Sequence, residues 1–164
     1  GVSAKQLLTD DRLLGTGTTL SDGVQLNGAE FSFSETTNDL AERLAAIKAR
    51  LDANPITIYF QTGQQNVALT QAQKQDFADL VFYMDNVEGS QAEVGGHTDN
   101  IGDETMNSRL SRKRAEFVRE YLTNNGLSAN SLSPANGYGP TKPIADNGSS
   151  TGRAKNRRVE VRLK

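Results

Sequence analysis

The stretch GGHTDNIGDETMNSRLSRKRAEFVREYL, residues 95–122, joins the end of a predicted strand to a long predicted helix. Its opening glycines allow a positive φ or a close backbone approach, which suits a turn. Apolar residues then recur at helical spacing from Asp103 to Asn125, where Asn125-Gly126 is typical of a helix end. A strand that passes through a glycine-containing loop into a helix indicates an α/β domain.

Two polar residues lie on the apolar face of this helix. At about 100° per residue, and with Leu110 set at 0°, Phe117 and Tyr121 fall within about 20° of the middle of that face. Arg114 falls at about 40° and Asn107 at about 60°. An unpaired buried guanidinium is costly, so Arg114 needs an anionic partner, unless its stem reaches past the helix edge to solvent. That partner is either an internal Asp or Glu or a ligand carboxylate or phosphate held in a bidentate fork.

Shorter patterns on either side of this unit predict the rest of a sheet. Predicted strands cover Ile56–Phe60, Ala92–Gly96, Leu132–Tyr138 and Arg158–Leu163, with a second helix after Thr70 and polar loops at 61–66 and 146–156. From Pro55 on, this order predicts an α/β sandwich, with a mixed sheet in a βαβαββ order and helices packed on one face. The predicted domain therefore spans residues 55–164.

Residues 1–54 are predicted to form a separate N-terminal accessory segment with a βα order. Turns are expected at 13–17 and 21–23, and Asn27-Gly28 within Val24–Phe33 favours a strand or hairpin. An apolar stripe at spacings of four, three and four predicts a helix over about 37–53. Because the chain begins at Gly1 without a basic and then apolar leader, we expect a processed or trimmed chain whose targeting signal lies outside it.

Composition excludes several classes of protein. The 164 residues include no cysteine, which excludes disulfides and thiolate metal sites. No apolar run reaches the roughly 18 to 20 residues of a membrane span. The net charge of −2 conceals an acidic part, residues 1–100, with 6 Lys and Arg against 14 Asp and Glu, and a basic part, residues 101–164, with 12 against 6. Such asymmetry indicates either an anionic partner or two halves that pack together.

The loop before the long helix offers the opposite charge to Arg114. Asp99 lies beyond the carboxyl end of a predicted strand, where α/β sheets commonly bind ligands. If Asp99 and Arg114 flank one cleft, they provide a negative and a positive pole. That pair suits a zwitterion, such as the amino-carboxylate end of an amino acid, better than a polyanion.

Several ordered blocks of this sequence resemble OmpA-like peptidoglycan-binding domains. The resemblance covers about residues 56–163. It is carried by Gly96-His97-Thr98-Asp99-Asn100-Ile101-Gly102, by Asn107, by Leu110-Ser111-Arg112-Lys113-Arg114-Ala115, by Gly137-Tyr138-Gly139, by Pro143-Ile144-Ala145-Asp146-Asn147, and by Gly152-Arg153-Ala154-Lys155-Asn156-Arg157-Arg158-Val159-Glu160-Val161. The resemblance implies non-covalent binding of peptidoglycan through the diaminopimelate of the stem peptide, which anchors an envelope protein to the wall. It implies no catalysis and no cofactor.

The resemblance also assigns roles to individual positions. Asp99 would hold the ligand ammonium, Arg114 its carboxylate, and Asn107 would assist. Gln61 stands where many members have an aspartate, which puts the ligand choice at that position in question. The further expected ligand contacts are Thr98, Leu110, Gln61, Thr62 and Arg158. The implied location is the periplasm of a diderm bacterium, at the outer membrane or cell wall. This segment is not expected to insert into the membrane, and a homodimer is one of the oligomeric states that the resemblance allows.

Two other functions are alternatives. The basic cluster at Arg153, Lys155, Arg157 and Arg158 suggests a binder of an anionic polymer, but aromatic interleaving is absent and nucleic acid is not expected. The single histidine, His97, beside an acid suggests a peptidoglycan hydrolase. A structural role for His97 is preferred, because no nucleophile motif or second histidine accompanies it.

Overall fold

A computed structural model describes the backbone of residues 23–164 and the side chains from residue 38 on. Residues 50–164 form one compact unit, and the part of the chain before it is a separate unit described by itself. The turns predicted at 13–17 and 21–22 lie outside the described residues. The boundary predicted between 54 and 55 stays a prediction.

Four strands form one mixed sheet in the spatial order β1-β4-β2-β3. The strands are β1 (Ile56–Tyr59), β2 (Ala92–Gly96), β3 (Leu132–Gly137) and β4 (Arg158–Leu163). β4 lies antiparallel to both β1 and β2, whereas β2 and β3 are parallel. Val159 pairs with Ile58 on one side and with Gly96 on the other, which fixes the register at the end of the sheet where the loops of interest begin.

The helices begin and end largely where their caps predict. They are α1 (Gly23–Ala53), α2 (Gln71–Asn86), α3 (Glu104–Asn124) and α4 (Ser150–Asn156). Thr70 and Gln73 form a reciprocal capping box at the start of α2. The predicted class, a mixed sheet with helices, is confirmed, and the structure adds α4 between the last two strands of the predicted order.

The core lies between one face of the sheet and helices α2 and α3. Val94, Val159 and Val161 are fully or almost fully buried on that face. α3 approaches β2 so closely that a Cβ at Gly96 would collide with the backbone carbonyl of Ser111. This close approach holds the first turns of α3 against the end of β2, and it places Asp99 and Arg114 within reach of one another.

Two predicted elements are wrong. Residues 24–33 belong to α1 and do not form a strand or hairpin. A helix satisfies its backbone hydrogen bonds internally and extends readily once nucleated, whereas an isolated hairpin has only marginal stability. Residues 150–156, predicted as loop, form α4, which Ser149 begins by accepting a hydrogen bond from the backbone N–H of Gly152.

Among the helices that the structure describes, none has the length and apolar character needed to cross a membrane.

Candidate functional site

A cavity of about 300 Å³ opens where β2 ends and α3 begins. We call it the loop cavity. Its lining is mostly apolar in area but includes two acids and two arginines, and exposed Ile101 and Met106 lie at its rim. The lining residues are Thr62, Gly63, Thr98, Asp99, Ile101, Gly102, Asp103, Met106, Asn107, Leu110, Arg114 and Arg157. The helix and loop that the sequence singled out therefore do form one cavity.

Arg114 is completely buried and is held by backbone carbonyl oxygens. Its Nε donates to the carbonyl of Gln64 at 2.7 Å. Its Nη1 donates to that of His97 at 3.1 Å, and its Nη2 to that of Gln61 at 3.2 Å. The guanidinium also lies over the ring of Phe60, 5.2 Å from its centroid. These contacts fix the guanidinium in place and tie the loop after β1 to α3.

The expected anionic partner of Arg114 is absent from the residues that the structure describes, because no carboxylate lies within salt-bridge distance. Carbonyl dipoles replace a full negative charge. Burial and, less strongly, the charge of Arg157 lower the pKa of Arg114 to about 10, against the opposing effect of Asp99. Arg114 stays protonated at neutral pH, and three of its five N–H groups are engaged by the protein.

Asp99 is almost buried and pairs with an arginine that the sequence analysis did not place in the site. Its Oδ2 accepts from Nη1 of Arg157 at 3.2 Å, and its Oδ1 accepts from the backbone N–H of Ile101 at 3.1 Å. Arg157 is itself fixed by a hydrogen bond from its Nε to the carbonyl of Phe60. The cavity thus contains an ion pair between Asp99 and Arg157, and beside it the guanidinium of Arg114, which has no acidic partner among the described residues.

Thr98 and Asn107 shape the loop between β2 and α3. The hydroxyl of Thr98 donates to the carbonyl of Asp99 at 2.8 Å, and the side-chain amide of Asn107 donates to the carbonyl of Ile101 at 3.0 Å. Leu110 adds apolar surface to the cavity wall. Thr98, Asn107 and Leu110 therefore all line the loop cavity, and the side chains of Thr98 and Asn107 hydrogen-bond to backbone carbonyls of the loop.

Gln61 and Thr62 occupy the loop on the other side of the cavity. Thr62 lines the cavity, whereas Gln61 contributes its backbone carbonyl to Arg114 and exposes its side chain. The structure thus brings seven of the eight predicted residues to the loop cavity or its immediate support: Asp99, Arg114, Asn107, Thr98, Leu110, Gln61 and Thr62.

Arg158 is the predicted residue that the structure does not bring to this site. It lines a second cavity, of about 310 Å³, on the sheet face away from α3. We call it the sheet-face cavity, and it also includes His97, Tyr138, Lys142 and Glu160. Successive residues of a strand point to opposite faces, and Arg158, the first residue of β4, points to this one. Its neighbour Arg157 is the arginine that reaches the loop cavity.

Three charged residues of the sheet-face cavity, Arg158, Glu160 and Arg162, are paired with one another. Glu160 accepts hydrogen bonds from Arg158 at 2.7 Å and from Arg162 at 2.6 Å. Burial would raise the pKa of Glu160, but the hydrogen bonds and charges of the two arginines outweigh it and lower that pKa. The remaining donors of Arg158 reach the carbonyls of Asn156 and Lys142. This network joins β4 to the loops beside it.

His97 also belongs to the sheet-face cavity, so it does not form a catalytic pair with Asp99. Its ring stacks on Tyr138 with centroids 5.3 Å apart, and its Nε2 lies 3.9 Å from Oε2 of Glu160. Burial lowers its pKa to about 4, and the charge of Arg158 acts in the same direction. A neutral, stacked, buried imidazole fits a structural role.

The loop cavity contains charged groups of both signs. Asp99 and Arg157 form an ion pair, and Arg114 and Asp103 offer one charge of each sign. Among the residues with described side chains, no three histidine or carboxylate groups converge in a way that could hold a metal ion. The arrangement suits a small molecule that carries both an ammonium and a carboxylate.

Comparison with known proteins matches the same part of the chain. A family model described as the OmpA family matches residues 59–157. Outer membrane porin F of Pseudomonas fluorescens is 41% identical over 86 residues, which cover 52% of this chain and 26% of that protein. A protein named peptidoglycan-binding protein ArfA, from Mycobacterium tuberculosis, is 44% identical over 68 residues, or 42% of this chain and 21% of that one. The chain thus spans about a quarter of the length of these relatives.

A solved structure shares the architecture of this chain. The peptidoglycan-associated lipoprotein of Burkholderia pseudomallei superimposes with a TM-score of 0.62 at 25% identity, over 68% of this chain and 92% of that one. The sheet and helices described above are therefore a known arrangement, and the loop cavity lies within the part of the chain that the family model matches.

Proposed function

The chain belongs to the OmpA family, and from that premise we propose that it binds cell-wall peptidoglycan without cleaving it and so anchors an envelope protein to the wall. Two of the similar proteins are named for such an association, a peptidoglycan-binding protein and a peptidoglycan-associated lipoprotein. The corresponding location is the periplasmic side of the envelope. We assign the binding to residues 55–164 and an accessory role to residues 1–54.

The ligand in this proposal is the zwitterionic end of the diaminopimelate in the stem peptide. Its carboxylate would take the two N–H groups of Arg114 that the protein leaves unengaged, in a charge-assisted contact. Its ammonium would approach the carboxylate of Asp99, and its methylene chain would lie against the apolar lining near Leu110 and Met106. Asn107 and Thr98 would act by holding the loop that carries Asp99.

One observation supports this proposal above the others. A completely buried arginine lines a cavity, and no carboxylate of the described residues lies within salt-bridge distance of it. A buried cation gains strongly from an anionic ligand, because little water competes for it. Arg157 and Arg158, by contrast, are already paired with acids, which leaves the anionic-polymer alternative with few free cations at the sites they line.

A sedimentation assay with purified sacculi tests the proposal. Asp99→Asn keeps an acceptor for the N–H of Ile101 but removes the charge that would meet the ligand ammonium. We expect the parent chain to sediment with the sacculi and Asp99→Asn to bind about tenfold more weakly.

The matched control is Glu120→Gln, which makes the same charge change at an exposed position of α3 outside the cavity. It should bind as the parent does. A parent chain that stays in solution would overturn the function, and equal binding by Asp99→Asn would overturn the site. Release of soluble wall fragments during the assay would instead indicate the hydrolase alternative.

A further inference from the structure

Asp103 occupies the N-cap position of α3 without capping the helix through its side chain. An aspartate there usually accepts a hydrogen bond from a backbone N–H of the first turn. In this structure the backbone of Asp103 has the extended conformation of an N-cap and its carbonyl accepts from the N–H of Asn107, but its carboxylate makes no cap bond. The carboxylate of Asp103 is therefore not used to cap α3.

Asp103 is an exposed residue that lines the loop cavity. Gly102, at a φ of +96°, reverses the chain just before it, a conformation that favours glycine. The preceding residues are folded by the hydrogen bond from Ile101 to Asp99 and by the one from Asn107 to Ile101. This compact turn brings Asp99 and Asp103, four residues apart, to the wall of one cavity.

Of the four charged residues that line the loop cavity, two form an ion pair with one another and two do not. Asp99 is neutralised by Arg157 at 3.2 Å. Neither Asp103 nor Arg114 has an ion pair with any residue whose side chain the structure describes, and Arg114 is held by three backbone carbonyls and the ring of Phe60. One negative and one positive group in the cavity therefore lack a counter-ion, and a bound zwitterion would supply both.

We infer that Asp103 is a second ammonium-binding residue of the loop cavity, which receives the amino group of the ligand together with Asp99. The inference rests on the proposed function and goes beyond it, because it assigns ligand selection to a residue that no helix cap or internal ion pair requires. An aspartate already paired with arginine attracts an ammonium less strongly than a free one, so Asp103 supplies the net negative charge. The site would consequently select ligands with a primary amine over those with carboxylates alone.

Calorimetric titration with two small probes tests this inference. The probes are meso-diaminopimelic acid, which carries ammonium and carboxylate groups, and pimelic acid, which has the same carbon chain and carboxylates without the amines. The variant is Asp103→Ser, because serine is a good N-cap and removes the charge without weakening the start of α3. We expect Asp103→Ser to bind the diamino acid about three- to fivefold more weakly and pimelic acid equally well or more tightly.

The control is Glu104→Gln, which removes a charge in the first turn of α3 from a residue that does not line the cavity. It should leave both affinities unchanged, and a thermal melt of Asp103→Ser should show a folded chain at least as stable as the parent. Equal binding of the diamino acid by Asp103→Ser would overturn the inference, and so would an equal loss for both probes.

The result also separates this inference from the proposed function. A parent chain that binds sacculi and diaminopimelic acid, with an Asp103→Ser variant that does the same, would leave the function standing and refute the role of Asp103. A parent chain that binds neither sacculi nor diaminopimelic acid would refute both.

Discussion

The loop cavity and the sheet-face cavity have nearly the same size, about 300 and 310 Å³, and are built from neighbouring residues. Asp99 and Arg157 line the first, and His97 and Arg158 line the second. They differ in how their charges are used. In the sheet-face cavity Glu160 takes hydrogen bonds from two arginines, whereas in the loop cavity Arg114 has no acid within salt-bridge distance among the residues whose side chains are described. Because the two cavities are so similar in size, our proposal for the binding site depends on the buried charge of Arg114 and not on cavity volume.

The first prediction concerns the loss of the buried guanidinium of the loop cavity. Arg114→Met removes a buried cation and leaves the carbonyls of Gln61, Gln64 and His97 without their donors. We expect the free energy of unfolding to fall by about 3–5 kcal/mol, and sacculus binding to be lost. Urea denaturation followed by fluorescence or circular dichroism measures the first effect.

Arg114→Lys is the companion variant, because it keeps the charge but has all its donors on one nitrogen, which cannot reach three separated carbonyls as the guanidinium does. Its stability should lie between those of the parent and of Arg114→Met. A stable Arg114→Met variant would show that the carbonyl contacts do not hold the loop after β1.

The second prediction breaks the sheet-face cavity in the corresponding way. Arg158→Met removes the principal partner of Glu160 and the donors to the carbonyls of Asn156 and Lys142. We expect a loss of about 3 kcal/mol in the free energy of unfolding. Sacculus binding per folded molecule should equal that of the parent. A loss of binding without a loss of stability would indicate that the ligand binds in the sheet-face cavity and would contradict the proposed site.

The third prediction uses pH to sharpen the comparison. The pKa of His97 is about 4 in the folded chain because burial and then Arg158 disfavour its charged form, against an ordinary value of 6.5. Between these pH values the unfolded chain binds more protons at His97 than the folded chain does. The contribution of neutral His97 to the free energy of unfolding is therefore complete above about pH 6.5 and is lost as the pH falls toward 4. We expect about 2–3 kcal/mol of stability to be lost over this interval.

Replacement of His97 by phenylalanine isolates this effect. The variant keeps an aromatic ring to stack on Tyr138 but has no group that titrates there. The difference in acid sensitivity between the parent and His97→Phe, measured by urea denaturation at a series of pH values, should show the predicted slope. Identical pH profiles would indicate that His97 is not the group responsible.

The sequence identified most of the polar residues that line the loop cavity, but not Arg157. Helical spacing placed Arg114 and Asn107 on one face, and the loop position of Asp99 placed it at the end of β2, so three residues converge as expected. Arg158 lines the sheet-face cavity instead, because successive residues of a strand point to opposite faces of the sheet. Arg157, just before β4, is therefore the arginine that the prediction missed.

The two misassigned segments have a different cause. The pattern of residues 24–33 is compatible with a hairpin, and only the continuous backbone of α1 rules it out. The helix α4 has seven residues and includes Gly152, so its sequence alone favours a loop. It is held by contacts distant in sequence, since the side chain of Asn156 bonds to the backbone of Ile144 and Ala145.

The central claim is that the loop cavity, and not its neighbour of equal size, receives the zwitterionic end of the stem peptide. The most direct test is a titration of the ¹⁵N-labelled chain with a diaminopimelate-containing stem peptide, followed by amide chemical shifts. We expect saturable shifts at Asp99, Ile101 and Gly102, with little change at Lys142 and Arg162. Shifts confined to Lys142, Arg162 and their neighbours in the sheet-face cavity would contradict the account.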